Sequence, residues 1–302
     1  MKSAPKKEKV VVIVGPTASS KSDIAVSLAQ KYKGEIVSAD SRQMYKRLNI
    51  ATGKITREEM KGIPHYLLDI AEPEEPISVA DYKIKADNAI DKILKSGKIP
   101  FLVGGTGFYV QAVVDRLVLP EVPPNQDLRK VLSKKSPSEL FKILYALDPR
   151  RAKSIDAHNL VRLIRAIEIA KSLGSVPDLR RDSSNKEFLL LGLEPEPEEV
   201  KDRIHNRTLV RLKRGMIAEA ERLYRDGLSY KRMDELGLEY KILAKFLKKE
   251  IGRDELIKQI DSEDWQYAKR QMTWFKKDNR IKWFHPMNVE EIGSELEKFL
   301  RS

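Results

Sequence analysis

The stretch Val10-Val-Val-Ile-Val-Gly-Pro-Thr-Ala-Ser-Ser-Lys21-Ser22 decides the fold. Val10 to Val14 is an unbroken β-branched run, the mark of a strand buried on both faces of a parallel sheet. Gly15 to Ser20 is a turn. Lys21 to Tyr32 then carries Ile24, Ala25, Leu28 and Ala29 at helical spacing, and Gly34 closes it. Glu35-Ile-Val-Ser-Ala-Asp40 reads as a second strand ending in polar residues. Strand, loop, helix and strand in quick succession predict an α/β fold on a mostly parallel sheet flanked by helices.

The turn approximates the phosphate-loop pattern G-x-x-x-x-G-K-[ST], a nucleotide- or ATP-binding signature by pattern alone. An ordinary βα turn has a similar composition, but the position between strand and helix favours phosphate. The loop Gly15, Pro16, Thr17, Ala18, Ser19 and Ser20, through the amides it has outside Pro16, would then cradle phosphate at the helix N-terminus. Lys21 would neutralise charge, and the Ser22 hydroxyl could hold Mg²⁺. Ser20 stands where the pattern has its second glycine. Glycine there allows close approach and strained dihedrals, so a mild defect in phosphate binding is expected.

Asp40 ends the second strand, at the sheet edge where open α/β sheets bind ligands, and opens Asp40-Ser41-Arg42-Gln43. Beside a phosphate loop it can bind Mg²⁺ or take a proton from a nucleophile. It can also simply cap a helix. A third strand, Ile99 to Val103, runs into Gly104-Gly105-Thr106-Gly107 with no terminal aspartate. ATPases with this loop often hold Mg²⁺ from such an aspartate, so its absence leans against one. Thr106 is either an edge hydroxyl for substrate or part of a plain tight turn.

Further along, residues 58–77 are broken by Gly62, Pro64, Pro73 and Pro76 and read as loop and short strand. Val79 to Lys95 is helical, with Ser78 as N-cap. Leu119-Pro-Glu-Val-Pro-Pro124 is a break. From Asp127 to Leu173 the chain reads as short basic helices, and Ser175 to Lys186 as a polar loop. Phe188 to Leu193 returns to strand, and Glu198 onward is mostly helical. The expected organisation is a phosphate-loop core, 1–117 with 187–302, interrupted by a helical insertion at 118–186. Residues 1–9 read as a frayed basic tail.

The 302 residues allow one large or two modest domains. With no cysteine, disulfides and cysteine nucleophiles are excluded, and with only His65, His158, His205 and His285 a histidine-rich metal site is not expected. No signal peptide and no membrane-length apolar run is visible, so a cytoplasmic protein with no membrane partner is expected. Net charge is +12, which points to polyanions. Bases cluster at Arg150, Arg151 and Lys153, at Arg162 and Arg165, and at Arg203, Arg207, Arg211, Lys213 and Arg214. The residues 203, 207, 211 and 214 share a helical face, suited to polyphosphate or RNA, although a solvated face is the commoner case. In Trp265 to Lys277, aromatic residues interleave with bases. Core packing is expected for Trp274, with Lys269, Arg270 and Gln271 facing out.

Together these residues resemble the tRNA dimethylallyltransferase (bacterial-type tRNA isopentenyltransferase) family. The matching segments are Gly15-Pro-Thr-Ala-Ser with Lys21-Ser22, Ser38 to Gln43, Pro64-His-Tyr-Leu-Leu-Asp69 and Ser78 to Tyr82. Pro100 to Thr106, Asn159 to Ala166 and Lys269 to Phe275 continue them in family order over nearly the whole chain. The combination is far more specific than the phosphate loop alone.

The resemblance implies transfer of dimethylallyl from its diphosphate to N6 of the adenosine 3′ of the tRNA anticodon. It implies that the loop, with Arg203 or Arg207, holds that diphosphate rather than driving ATP hydrolysis, and that Mg²⁺ sits near Ser22. Asp40 is implied as general base, with Thr17 bonding the bridging oxygen or the base. Asp40 to Gln43, Thr106, Asn159, Arg162, Arg165, Lys269, Arg270 and Gln271 are implied at tRNA. The insertion is implied to clamp the anticodon stem, with the target base flipped. A monomer suffices for this. The rival readings are a nucleoside or nucleotide kinase, an enzyme prenylating free AMP, and a non-catalytic RNA-binding protein. None of them accounts for loop, basic insertion and Lys269–Phe275 together.

Overall fold

The computed structural model describes residues 7–181, 183 and 185–302. Its strands are β1 (Glu8–Val14), β2 (Gly34–Ser38), β3 (His65–Tyr66), β4 (Ile99–Gly104), β5 (Leu117–Val118), β6 (Arg180–Arg181), β7 (Lys186–Leu193) and β8 (Lys282–Phe284). Six form one sheet in the order β3-β2-β4-β1-β7-β8, with every pairing parallel. The α/β expectation is borne out.

β1 lies between β4 and β7, which explains its unbroken apolar run. Val10, Val12 and Val14 face one layer, and Val11 and Ile13 the other, all fully buried. Each such side chain contributes roughly 1.5–3 kcal/mol by leaving water. On the Val11 side the sheet is covered by α1 (Lys21–Lys31) and the C-terminal helix. The other face meets α2 (Val79–Lys95), α3 (Gly107–Val114) and later helices. Ser78 caps α2 as expected: its hydroxyl accepts from the Asp81 amide at 3.2 Å, and Asp81 accepts from the Ser78 amide at 3.2 Å. Such reciprocal capping satisfies two otherwise orphaned donors.

Contacts divide the described chain into two compact units, 7–115 with 185–302, and 116–183. The second unit holds α4 (Gln126–Leu132), α5 (Pro137–Leu147), α6 (Pro149–Ser154) and α7 (Leu160–Leu173) around Leu140, Leu144, Leu163 and Ile167. Glu168 is buried there and takes Arg129 through Nε and Nη2 at 2.7 Å each, with the Asn125 amide at 2.9 Å. In the first unit the remaining helices are α8 (Pro197–Lys213), α9 (Met216–Arg225), α10 (Tyr230–Leu236), α11 (Leu238–Leu247), α12 (Arg253–Phe275) and α13 (Val289–Arg301).

Several expectations are corrected. Glu8 and Lys9 belong to β1 rather than to a frayed tail, because both pair with β7 through Lys186 and Glu187; residues 1–6 lie outside the described residues. Gly34 opens β2 rather than merely ending α1, and a Cβ there would stand 2.3 Å from the Phe101 ring. The polar stretch 175–186 contributes β6, antiparallel to β5, and the first residue of β7, with 182 and 184 outside the described residues. The C-terminal helical region also contains β8, which pairs with Leu191–Leu193.

Candidate active site

The turn after β1 winds through two left-handed residues, Ala18 (φ 61°) and Ser20 (φ 60°), before α1 begins at Lys21. Ser20 occupies the conformation that glycine adopts without steric cost. Ser19 is fully buried and donates to the Pro16 carbonyl at 2.8 Å. Lys21 folds back onto that same carbonyl and reaches Ser19 Oγ at 3.2 Å. The backbone therefore curls around its own lysine.

Asp40 stands at the end of β2. Its Oδ1 accepts from the amides of Arg42 (2.8 Å) and Gln43 (3.2 Å); what it closes is a turn at 41–44, not the helix that a capping aspartate would begin. Among the described residues Oδ2 accepts no hydrogen bond and remains available to chemistry. Thr106 binds this turn to the end of β4: its Oγ1 accepts from the Ser41 amide at 3.0 Å, and its own amide reaches the Ala39 carbonyl at 3.1 Å. Gly104 permits that approach, because a Cβ there would stand 2.2 Å from the Ala39 oxygen.

Gln271 departs from expectation. It is 5% exposed rather than outward-facing. Its Oε1 accepts from the Thr17 amide at 2.7 Å, and its Nε2 donates to the Gly105 carbonyl at 2.9 Å. A Cβ on Gly105 would stand 2.0 Å from that Nε2. One buried amide from α12 thus bridges the turns after β1 and β4. Trp274 packs against the core as expected, beside Gly107, while Lys269 and Arg270 are exposed.

The basic face of α8 points inward rather than into solvent, overturning the commoner reading. Arg203 Nη1 lies 3.4 Å from Ser20 Oγ, and its Nη2 pairs with Glu199 at 3.1 Å. Arg207 Nη2 donates to Thr17 Oγ1 at 2.6 Å. Arg211 is buried and paired with Glu239 at 2.9 Å. Arg214, expected on this face, is the exposed C-cap of the helix.

The loop from Thr17 to Lys21, Asp40, Arg203, Arg207 and Gln271 line one cavity of about 370 Å³, together with Ser22, Gln43, His65 and the apolar Ile36, Ile55, Leu68 and Val103, whereas Thr106, Arg211 and Arg214 do not line it. Burial, and after it the neighbouring Arg207, push the Lys21 ammonium down to about 7 against the opposing pull of Asp40. A buried ammonium held down in this way beside another cation is poised for an anion. His65 is held below its ordinary value by burial. Its Nδ1 lies 2.8 Å from the Ile63 carbonyl, which can only accept, so Nδ1 carries the proton and the ring is a neutral acceptor at Nε2.

The remaining expected residues lie in the second unit and have local partners. Asn159 caps α7 by accepting from the Arg162 amide at 3.0 Å. Arg165 donates to the Val122 carbonyl at 2.8 Å and reaches Glu168 at 3.3 Å. Arg162 is exposed. Sequence reasoning missed His65 as a cavity residue, although it stands in the Pro64–Asp69 segment. It also missed Asp264 and Glu239, for which nothing local gave a signal.

Fold and site define a phosphate-loop α/β protein whose loop is backed by arginines and faced by a carboxylate. A family model described as IPP transferase matches residues 43–278. A protein from Halothermothrix orenii named tRNA dimethylallyltransferase is 36% identical over 98% of this chain and 94% of its own. The solved tRNA isopentenylpyrophosphate transferase of Bacillus halodurans is 35% identical, covers 98% of this chain and 97% of its own, and superposes with a TM-score of 0.75. A eukaryotic dimethylallyltransferase solved acting on tRNA is 25% identical over 92% of this chain and 74% of its own, with a TM-score of 0.77. The chain belongs to the IPP transferase family, as its motifs led one to expect. It is a transferase. Among the described residues no helix is long and apolar enough to cross a membrane.

Proposed function

We propose that this chain transfers a dimethylallyl group from dimethylallyl diphosphate to N6 of the adenosine 3′-adjacent to the tRNA anticodon, giving N6-isopentenyladenosine and diphosphate. The observation that carries this is a single cavity in which Lys21, Arg203 and Arg207 gather on a phosphate loop and Asp40 faces them. The end of β4 beside that loop carries Gly104 and Gly105 rather than an aspartate. That favours a diphosphate substrate over ATP hydrolysis.

In the reaction the C1–O bond to diphosphate breaks and the C1–N6 bond forms. N6 is a weak nucleophile because its lone pair is delocalised into the ring, so its proton must leave. Asp40 Oδ2 takes it, while Oδ1 stays fixed by the Arg42 and Gln43 amides. Diphosphate departs with growing charge, met by preorganised donors from Lys21, Arg203, Arg207 and the loop amides. Thr17 Oγ1, already accepting from Arg207, has its own proton to give the bridging oxygen.

Among the described residues no cluster of three acidic or histidine side chains could hold a metal. Ser22 lines the cavity, and its lone hydroxyl would fit Mg²⁺ carried largely by substrate phosphate and water, which leaves Asp40 free to act as the base. Such an ion supplies charge neutralisation at the leaving diphosphate.

The net charge of +12 suits a tRNA partner. The unit 116–183 grips the anticodon stem, with exposed Arg162 among its contacts. Lys269 and Arg270 on α12, with Gln43 at the cavity and Ser41 beside it, meet the loop carrying the flipped base. One copy of the chain suffices. The test is purified protein with unmodified tRNA, dimethylallyl diphosphate and Mg²⁺, then digestion and mass analysis of the nucleosides. N6-isopentenyladenosine is the expected product; phosphate release from ATP with no modified nucleoside would instead favour a kinase or ATPase.

A further inference from the structure

Asp264 on α12 has no part in the reaction just described, yet its side chain is 3% exposed and lies directly behind the phosphate loop. Its Oδ2 accepts from Arg207 Nη2 at 3.1 Å and stands 3.9 Å from Arg211 Nη1. The same Arg207 Nη2 donates to Thr17 Oγ1 at 2.6 Å. Both hydrogens of one terminal nitrogen are therefore committed in fixed directions. The guanidinium is planar, so fixing both hydrogens of Nη2 fixes the plane of the whole group.

The rest of that fork is free. Arg207 Nε is buried without a partner, and among the described residues Nη1 has no hydrogen-bond acceptor. A buried donor left unpaired costs about 1–3 kcal/mol. Arg207 lines the cavity; its Nε is closed off from solvent, so an acceptor arriving there with substrate would meet Nη1, held in the plane that the two Nη2 bonds fix.

Asp264 also works against the site. A carboxylate close to an anion site weakens its attraction for phosphate. Arg211 partly neutralises it, being itself paired with Glu239 at 2.9 Å. Glu239 is pushed up to about 7 by burial and by the like charge of Asp264, against the pull of Arg211. An acid retained at such a place needs a use that offsets its charge, and orientation is the use the geometry provides.

We infer that Asp264 is a positioning residue: it sets the plane in which Arg207 presents Nη1 to the diphosphate of the prenyl donor. This rests on the diphosphate reading of the cavity.

The test measures kcat and KM for dimethylallyl diphosphate and for tRNA in wild type, Asp264→Ala, Asp264→Asn and Arg207→Ala, and in each Asp264 variant combined with Arg207→Ala. Asp264→Ala is expected to raise KM for dimethylallyl diphosphate at least about tenfold, leaving KM for tRNA within about twofold. Asp264→Asn keeps an amide oxygen for Nη2 and is expected to stay within about threefold. On the Arg207→Ala background both effects should shrink below about twofold, because the group being positioned is gone. Effects that persist there, or a tRNA KM that rises equally, overturn the inference. Asp264→Ala strips a counter-charge from Arg211 and can unfold the chain. The Asn variant then decides alone: its rise in KM must vanish on the Arg207→Ala background, and persistence overturns the inference. A wild type that forms no isopentenyladenosine overturns the functional reading and this one together; an active wild type with additive variants overturns this one only.

Discussion

Arg207 Nη2 donates to the Thr17 hydroxyl at 2.6 Å across 190 residues of sequence. The bond joins the first loop of the chain to a helix that follows the whole 116–183 unit. It also sets the character of the site: the phosphate loop is not complete in its own segment. Its cationic wall comes from α8, and its backbone is braced from α12 by Gln271.

Ser20 is expected to hold the loop below its best affinity. A side chain at φ 60° costs roughly 1 kcal/mol that glycine does not. Its one side-chain contact, 3.4 Å from Arg203, returns little. Ser20→Gly should lower KM for dimethylallyl diphosphate about threefold with little change in melting temperature, since added unfolded-state entropy offsets the relieved strain. An unchanged KM contradicts this.

Lys21 makes binding pH-dependent. In the free protein it loses its proton near 7, well below the ordinary 10.5. A bound diphosphate raises it again. Below pH 7 the ammonium is present in both states and the group adds no slope. Above pH 7 binding must take up a proton, so affinity should fall by up to about tenfold per pH unit until the bound form also titrates. The same depression means the folded chain binds fewer protons than the unfolded one between about 7 and 10.5, so this group's contribution to stability rises with pH there. Titrations of inorganic diphosphate at several pH values check the first point, and Lys21→Met should flatten that slope.

Gln271→Ala leaves the Thr17 amide and the Gly105 carbonyl without their partner. At about 1–3 kcal/mol for each buried group left unpaired, urea unfolding should move to clearly lower midpoints. Turnover should fall while tRNA affinity holds. A variant with normal stability and weakened tRNA binding would return Gln271 to the outward-facing role first expected of it.

Glu219 anchors the turn at 49–51, just before Thr52 and Gly53 of the cavity wall. It is buried and accepts from the amides of Asn49 (3.1 Å), Ile50 (2.8 Å) and Ala51 (3.1 Å) and from the Tyr240 hydroxyl (2.9 Å). Glu219→Gln exchanges one accepting oxygen for a donor that faces other donors. A loss of about 2–4 kcal/mol is expected from the strength of hydrogen bonds to charge and the penalty of unpaired amides. Chemical denaturation measures it directly.

How much could be read in advance follows from sequence distance. β1, the loop, α1 and Asp40 are contiguous, and hydrophobic period plus turn chemistry sufficed for them. Arg203 and Arg207 were legible as a helical stripe, but whether the stripe met solvent or the loop depended on how α8 packs, which no local pattern carries. Gln271 looked like a surface residue among Lys269 and Arg270; only the close approach of Gly105 turns it inward. Asp264 and Glu239 look like ordinary helix-surface acids until Arg207 and Arg211 are brought beside them. β8 has three residues, too few to display a strand's alternation. Asn159 and Arg165 were legible as marked positions, while their capping and carbonyl contacts emerge only in the folded unit.

The most direct measurement is the single-turnover rate of N6-isopentenyladenosine formation, with tRNA and dimethylallyl diphosphate saturating, in wild type and Asp40→Ala, alongside the tRNA dissociation constant of each. Removal of the group that takes the N6 proton should slow the step by about 10²–10⁴ and leave tRNA affinity within a few-fold. A variant that forms product at a near-normal rate would contradict the account, because the carboxylate facing the phosphate loop would then have no part in the transfer.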